Sequence, residues 1–292
     1  MQKIIVPTDF SEQASHALNF AREIASQTGA KIVLMHVLEY AKKQTTFLGS
    51  STLSTMGTLG TGVEMDDIYF IQLFKRRKEQ MAEVLSDPLF ANIDITDKIL
   101  MGTPYHAIEE EITESDADFI IMGTTGVNDW AESLIGSTAE KVVRHASCPV
   151  LTLRKEVHLA DISKIAFASD FKELNPPYMT MVKNIRKLFD AELHLVYINT
   201  PGHFKNEREI NKNLNAFAAA NQLDDHKTHI YSHEHEEEGI VCFAEDQKMN
   251  MVMMATTGRS GFSRLFEHSI AEDVVNFSKK PVVTFNLNYI SK

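Results

Sequence analysis

The chain has 292 residues, 43% hydrophobic and 24% charged, a composition typical of a globular protein with room for about two domains. Its 40 acidic residues outnumber its 29 basic ones, and the net charge of −11 argues against nonspecific binding to nucleic acid or to anionic membranes. Two cysteines make no disulfide framework and no apolar run approaches the ~18 residues of a membrane span, so we expect a cytoplasmic protein.

The amino-terminal segment predicts a strand, a helix and a second strand. Residues 4–6 are apolar, and the Pro-Thr-Asp of positions 7–9 ends them. Ser11 is suited to cap the start of the helix, and Gly29 to cap its end. Residues 31–37 are a second apolar run. A strand, helix and strand of this length form a crossover unit, which predicts a parallel sheet.

Residues 45–63 are rich in Ser, Thr and Gly and have almost no charge. Their glycines follow the order Gly-x-x-Gly-x-Gly, the reverse of the dinucleotide-binding fingerprint, and no strand leads into them. We therefore predict a loop, which is either a linker or a lid over a site.

The rest of the first half alternates helices and strands. Residues 65–85 predict a helix with a solvated basic face at 75–78, and a strand follows at 93–100. A helix begins at the Thr-Pro of 103–104, and residues 149–153 form a last strand. The expected core residues of the first of these helices are Ile68, Ile71, Leu73, Met81 and Leu85.

A glycine-rich stretch links two of these elements. An apolar strand ends at Gly123, Gly126 follows three positions later, and a helix begins at the pair Gly136 and Ser137. Glycine lets a backbone approach a ligand closely, and a helix amino terminus leaves N–H groups unpaired. The pattern predicts an anion cradle, most simply for phosphate. The alternative is a tight strand-to-helix turn that binds nothing.

The second half of the chain repeats the first. Residues 165–171 match 4–10, and residues 249–258 match 117–126. The offset falls from 161 to 132 residues, so 29 residues are missing from the second copy, mostly opposite the Ser/Thr/Gly loop. We interpret this as a tandem duplication, with a first domain over 1–157 and a second over 158–292.

These motifs together resemble the universal stress protein family. They are the Val-Pro-Thr-Asp-Phe-Ser near the amino terminus, the His-Val that ends the second strand, the Gly-x2-Gly-x9-Gly-Ser stretch and the Ser-Cys-Pro-Val-Leu after the last helix. The resemblance covers both halves. It implies two copies of a five-stranded, doubly wound parallel α/β sheet with helices on both faces, the adenine nucleotide alpha hydrolase-like fold. It also implies binding of ATP or another adenine nucleotide, with Mg2+, at the carboxyl ends of the strands.

The resemblance further assigns roles to individual residues. Asp9, beside Pro7 and Thr8, would face the ribose or adenine, although its carboxylate could instead cap the following helix. The backbone at Val37 would meet the adenine edge. The phosphates would be held by Gly123, Gly126, Gly136, Ser137 and Thr138, and Met122, at the start of this motif, is a further cofactor-binding candidate.

Two departures from the family pattern limit this expectation. In the first copy Asp129 and Glu132 lie where many relatives have a basic loop, and they would repel phosphate unless a divalent cation intervenes. In the second copy Ala255 and His268 replace the first and third glycines. A side chain there obstructs the approach of the backbone to a phosphate. We therefore expect one nucleotide per chain, in the first copy, and a structural role for the second.

Histidines of the second copy are weak candidates for a metal site. Alternation along a predicted strand places His229, His233 and His235 on one face, where imidazoles could bind zinc or nickel. No cysteine or fixed motif completes the set, and histidines on a solvated strand are ordinary.

Three functions remain open from sequence. The first is a nucleotide-binding regulatory protein with an unknown protein partner. The second is a slow ATPase or autophosphorylating protein, although no general base or basic clamp is evident. The third is an interaction scaffold with a vestigial pocket that holds a metal or lipid. Relatives with one copy pair through their last strands, so the resemblance implies an intramolecular pseudo-dimer, with a further homodimer left open.

Overall fold

The structure is a computed structural model that describes residues 1–39, 65–125, 136–171, 176–256 and 270–286. Within these ranges the first copy contributes five strands and four helices, and the second contributes the same. The strands are β1 Lys3–Pro7, β2 Lys31–Leu38, β3 Ile95–Met101, β4 Phe119–Gly123, β5 Val150–Leu153, β6 Lys164–Ala168, β7 Glu192–Asn199, β8 His226–Ser232, β9 Met251–Thr256 and β10 Val282–Asn286. The helices are α1 Glu12–Thr28, α2 Met65–Leu85, α3 Pro104–Ser115, α4 Ser137–His145, α5 Pro176–Phe189, α6 Glu207–Ala220, α7 Glu236–Asp246 and α8 Ile270–Phe277.

These ten strands form one sheet in the order β3-β2-β1-β4-β5-β10-β9-β6-β7-β8. Neighbouring strands are parallel except β5 and β10, where Leu151 lies opposite Val283 in antiparallel register. The predicted fold class is confirmed, and so is the pairing of the last strands of the two copies within one chain. This pairing covers one sheet edge of each copy.

Helices cover both faces of the sheet, as the crossover pattern requires. One core lies between the sheet and α1, α2, α5 and α6, and the other lies beneath α3, α4, α7 and α8. Helix α1 shows the expected caps: the Ser11 hydroxyl accepts from the Ala14 N–H, and Gly29 has a left-handed φ of 71°. None of the described helices combines the length and apolar character needed to cross a membrane.

Polar contacts join the copies beside the β5–β10 seam. The Arg144 guanidinium of α4 donates to both oxygens of Glu272 on α8. The Asn286 amide donates to the Arg144 carbonyl at 2.7 Å, and Arg154 donates to the Asn276 carbonyl at 3.4 Å. These last two contacts are equivalent in the two copies. At the offset of 132 residues, Arg154 corresponds to Asn286, and Arg144 corresponds to Asn276.

The structure corrects two expectations for α2. Ile71 is 50% exposed rather than part of the core, whereas Met81 is fully buried. Arg77 of the basic segment 75–78 is half-buried and not fully solvated. The reason is that only one face of α2 meets the sheet, and the helical repeat from Met81 places Arg77 on that face. The predicted loop at 45–63 and the Ile68 side chain lie outside the described residues.

Candidate functional site

Four of the predicted site residues lie at or near the carboxyl ends of three adjacent strands. Pro7 ends β1, Val37 is near the end of β2, and Met122 and Gly123 end β4. Strand β1 pairs with β2 on one side and β4 on the other, so the chain reverses its winding direction here. In open α/β sheets this reversal leaves a crevice above the strand ends, which is where ligands bind.

A tight turn after β1 presents Asp9. The Thr8 N–H donates to the Met35 carbonyl at 2.8 Å, and the Thr8 hydroxyl accepts from the Phe10 N–H at 3.0 Å. The Asp9 carboxylate accepts from the Ser11 N–H at 2.9 Å. Ser11, not Asp9, is the N-cap of the helix, so Asp9 organises the turn while its side chain remains exposed.

Hydrogen bonds keep the Asp9 carboxylate ionised. Partial burial raises the pKa of Asp9, but hydrogen bonds from Ser11 and from the Asp9 backbone, together with His36, outweigh it and lower the pKa overall. The turn therefore exposes a permanent negative charge at neutral pH, suited to accept from hydroxyl groups such as those of a ribose.

His36 supports this turn from beneath, a role that the sequence analysis did not assign. Its Nδ1 lies 2.7 Å from the Thr8 carbonyl oxygen, and a carbonyl can only accept, so Nδ1 carries the proton. Burial lowers the pKa of His36 and the charge of Arg77 lowers it further, against the opposing effects of the Thr8 bond and Asp9. His36 is thus a neutral imidazole at pH 7 that ties β2 to the turn.

Gly123 is required by the fold itself. A Cβ at this position would lie 2.3 Å from the carbonyl carbon and oxygen of Gln13 and 2.7 Å from the Ala14 nitrogen, at the start of α1. Real Cβ atoms do not approach backbone so closely. Close packing of β4 against α1 therefore accounts for this glycine without a ligand.

Gly136 differs, because nothing described around it requires a glycine. Its φ of −57° and ψ of 135° suit any residue, and no described heavy atom lies within 4 Å of the position that a Cβ would take. It is the N-cap of α4 and provides no side-chain hydrogen bond to the helix. Ser137 is exposed and Thr138 half-buried in the first turn that follows. No described atom fills the space beside Gly136, and the unpaired N–H groups of a helix start attract anions.

One predicted phosphate-binding residue, Gly126, lies outside the described residues, as do Asp129 and Glu132. Next to this gap, Thr124 is 4% exposed, and its backbone N–H donates to the Leu153 carbonyl at 2.8 Å. Its hydroxyl is buried with no hydrogen-bond partner in the described part of the chain.

The second copy repeats the turn but not the glycine. Phe171 has φ 53°, as Phe10 has φ 65°, and its N–H donates to the Ser169 hydroxyl at 3.1 Å. Ala255 occupies the position of Gly123 and carries the Cβ that β4 could not accommodate. His268 lies outside the described residues.

The candidate metal histidines do not share a strand face. Strand β8 ends at Ser232, so His233 lies beyond it and His235 is the N-cap of α7. Instead, His229 Nε2 lies 3.0 Å from Nδ1 of the buried His194. Across the described ranges, no group of three or more His, Cys, Asp or Glu side chains is arranged to hold a metal ion. The error came from extending the strand past the turn at 233–235.

A second feature missed from sequence is a cation beside the Asp9 turn. The Arg77 guanidinium lies over the Phe10 ring, with Cζ 5.5 Å from its centroid. The Phe10 ring is in turn 4.8 Å from the ring of His36. The spacing of Arg77 four residues before the buried Met81 could have indicated its orientation.

The fold and site define a doubly wound α/β protein, duplicated in tandem, with a candidate anion site at the switch point of its first copy. The sequence profile of the universal stress protein family matches residues 1–154 and 162–286. The chain therefore belongs to the universal stress protein family.

Individual relatives agree with this membership. Universal stress protein MJ0577 of Methanocaldococcus jannaschii is 26% identical over 155 residues, which are 53% of this chain and 96% of the relative. A universal stress protein structure from Archaeoglobus fulgidus superposes with a TM-score of 0.72 at 19% identity, covering 97% of this chain and 98% of its own. Protein PA1789 of Pseudomonas aeruginosa, of unknown function, has a TM-score of 0.65 at 17% identity, covering 99% and 94%. These structures share the whole two-copy fold.

Proposed function

We propose that this universal stress protein is a cytoplasmic regulatory protein whose first copy binds ATP or a related adenine nucleotide, with Mg2+. The second copy serves as its pseudo-dimer partner. The observation that carries the proposal is the amino terminus of α4, where the N-cap Gly136 has no described heavy atom within 4 Å of its Cβ position, on the chain segment that follows β4. Bound nucleotide alters the association of the protein with a protein partner.

The site offers suitable groups both to the nucleoside and to the phosphates of this ligand. The ionised Asp9 accepts from ribose hydroxyls, and the backbone at Val37 offers an edge for adenine. First-turn N–H groups and the Ser137 hydroxyl donate to phosphate oxygens. The helix dipole adds about 0.3–1 kcal/mol for an anion at this position. Mg2+ would offset the negative charges of the sequence between Gly126 and Gly136.

Calorimetric titration with ATP, ADP and AMP, with and without Mg2+, tests the proposal. We expect one site per chain. Gly136→Val places a side chain where the backbone would contact the nucleotide, without meeting described protein atoms, and should weaken binding about tenfold or more, the value of one charge-assisted hydrogen bond.

The matched control is Gly202→Val in the second copy. Gly202 likewise has no described heavy atom within 4 Å of its Cβ position and lies far from the first site in the sheet order. Equal losses in both variants, two equivalent sites per chain, or no binding by the unaltered protein would each contradict the proposal.

A further inference from the structure

Arg77 is the member of the basic segment 75–78 that turns toward the sheet. Lys75, Arg76 and Lys78 are exposed, whereas Arg77 is half-buried. It lies one helical turn before Met81, which has no exposed surface. The inner face of α2 thus brings a permanent positive charge to the carboxyl edge of β1 and β2.

The guanidinium is held in a defined position there. Its Nη1 donates to the Gln80 amide oxygen at 2.7 Å, and its Cζ lies 5.5 Å from the centroid of the Phe10 ring. The Phe10 ring also contacts the ring of His36, with the two centroids 4.8 Å apart and the ring planes tilted by 48°. The Nε of Arg77 is buried with no partner among the described residues. Arg77, Phe10 and His36 therefore form a chain of side-chain contacts that links α2, the Asp9 turn and β2.

Phe10 needs such support because its backbone is strained. Its φ of 65° lies in the left-handed region, which is unfavourable for a bulky side chain by about 1–3 kcal/mol unless the surroundings hold it. The Phe10 N–H closes the turn onto the Thr8 hydroxyl, and the next N–H, of Ser11, binds the Asp9 carboxylate. Contacts that hold Phe10 in place therefore also hold Asp9.

The second copy has the same turn with a different cover. Phe171 is buried, and its ring meets that of Phe217 on α6 at 5.2 Å, edge to face, and that of Phe167 at 6.0 Å. An apolar ring thus replaces the cation over the equivalent turn. Among the described residues, a cation over the ring of this turn is found in the copy to which we assign nucleotide binding.

Building on that proposed function, we propose that Arg77 is a positioning residue for the nucleotide site. Its contact with the Phe10 ring holds Phe10 in place and so fixes the turn that presents Asp9 to the ligand. It acts through Phe10 and makes no contact with the nucleotide.

The first test examines the contacts of Arg77, Phe10 and His36 without any ligand. NMR titration of the His36 imidazole in the full chain reports its electrostatic surroundings, where Asp9 and Arg77 are the charged groups that act on it. Because the Arg77 charge lowers the pKa of His36, Arg77→Met should raise it, and Arg77→Lys should leave it near its original value. Arg76→Met, which removes an exposed charge from the adjacent position, should have a much smaller effect. An unchanged His36 titration in Arg77→Met would contradict the chain of contacts from Arg77 to His36.

The second test measures nucleotide affinity in the same four proteins, with far-UV circular dichroism to verify folding. Arg77→Met should weaken AMP binding about twofold to fivefold, the equivalent of one partly exposed cation–π contact. Arg77→Lys should restore most of it, and Arg76→Met should bind as the unaltered protein does.

The outcomes separate the two proposals. If the unaltered protein binds nucleotide and Arg77→Met binds equally well despite a shifted His36 pKa, the positioning role is wrong while the proposed function stands. If the unaltered protein binds no nucleotide, the proposed function fails and the positioning role fails with it. A loss of AMP affinity with undiminished affinity for adenosine would show direct phosphate contact and also overturn the positioning role.

Discussion

The variant Gly123→Ala tests whether the chain needs a glycine at this position only to bind a ligand or also to pack β4 against α1. If the glycine is there only for a ligand, adding one methyl group should leave the empty protein as stable as before. The structure predicts otherwise, because that methyl carbon would lie 2.3 Å from the backbone carbonyl group of Gln13 and 2.7 Å from the Ala14 nitrogen. Both obstacles are backbone atoms, which cannot rotate away as the end of a flexible side chain can.

The expected magnitude follows from that contact. Overpacking a well-packed core costs about 1–3 kcal/mol, and for a chain of this size each kcal/mol lowers Tm by roughly 2–4 °C. We therefore expect Gly123→Ala to lower Tm by roughly 2–12 °C in nucleotide-free protein. Circular dichroism at a helix-sensitive wavelength measures the transition, and urea denaturation gives the change in free energy of unfolding.

Gly136→Ala is the internal control for this experiment. Its Cβ position is free of described atoms and its φ is −57°, so its stability should change by less than about 0.5 kcal/mol. If Gly123→Ala unfolds at the same temperature as the unaltered protein, the contact between β4 and α1 does not require glycine and our steric explanation is wrong.

Two other features of the structure yield predictions. Arg144→Ala leaves the Glu272 carboxylate, whose side chain is 4% exposed, without its partner, and should destabilise the chain by about 3–5 kcal/mol in urea denaturation. Removing the more exposed partner through Glu140→Ala should cost about 0.5 kcal/mol, and equal losses would contradict the assigned importance of the Glu272 pair. Burial lowers the pKa of both His194 and His229, so the unfolded chain binds more protons below about pH 6.5. Stability should thus be full above about pH 6.5 and decline as the pH falls toward the lowered values, and His229→Gln should reduce that decline in urea midpoints.

Local patterns were sufficient to predict most elements. The helix predicted over residues 65–85 is α2 Met65–Leu85, and the predicted cap residues Ser11 and Gly29 both occupy their positions. The third strand begins at Ile95, two residues after the predicted start. Such features depend on neighbours a few residues away, which periodicity and capping chemistry describe well. The histidine prediction failed where a strand end had to be located without a proline or glycine to mark it.

The sequence by itself determined the tandem organisation, the order of strands and helices, the pairing of the last strands through its family resemblance, and the segments that form the candidate site. Only the tertiary structure decided which side chains meet there. It turned Arg77 rather than Arg76 toward Phe10, placed His36 beneath the turn, and brought the start of α1 against Gly123. These contacts join residues far apart in the chain. Their distances depend on how helices pack on the sheet, and hydrophobic periodicity along one segment carries no information about the segment that will cover it.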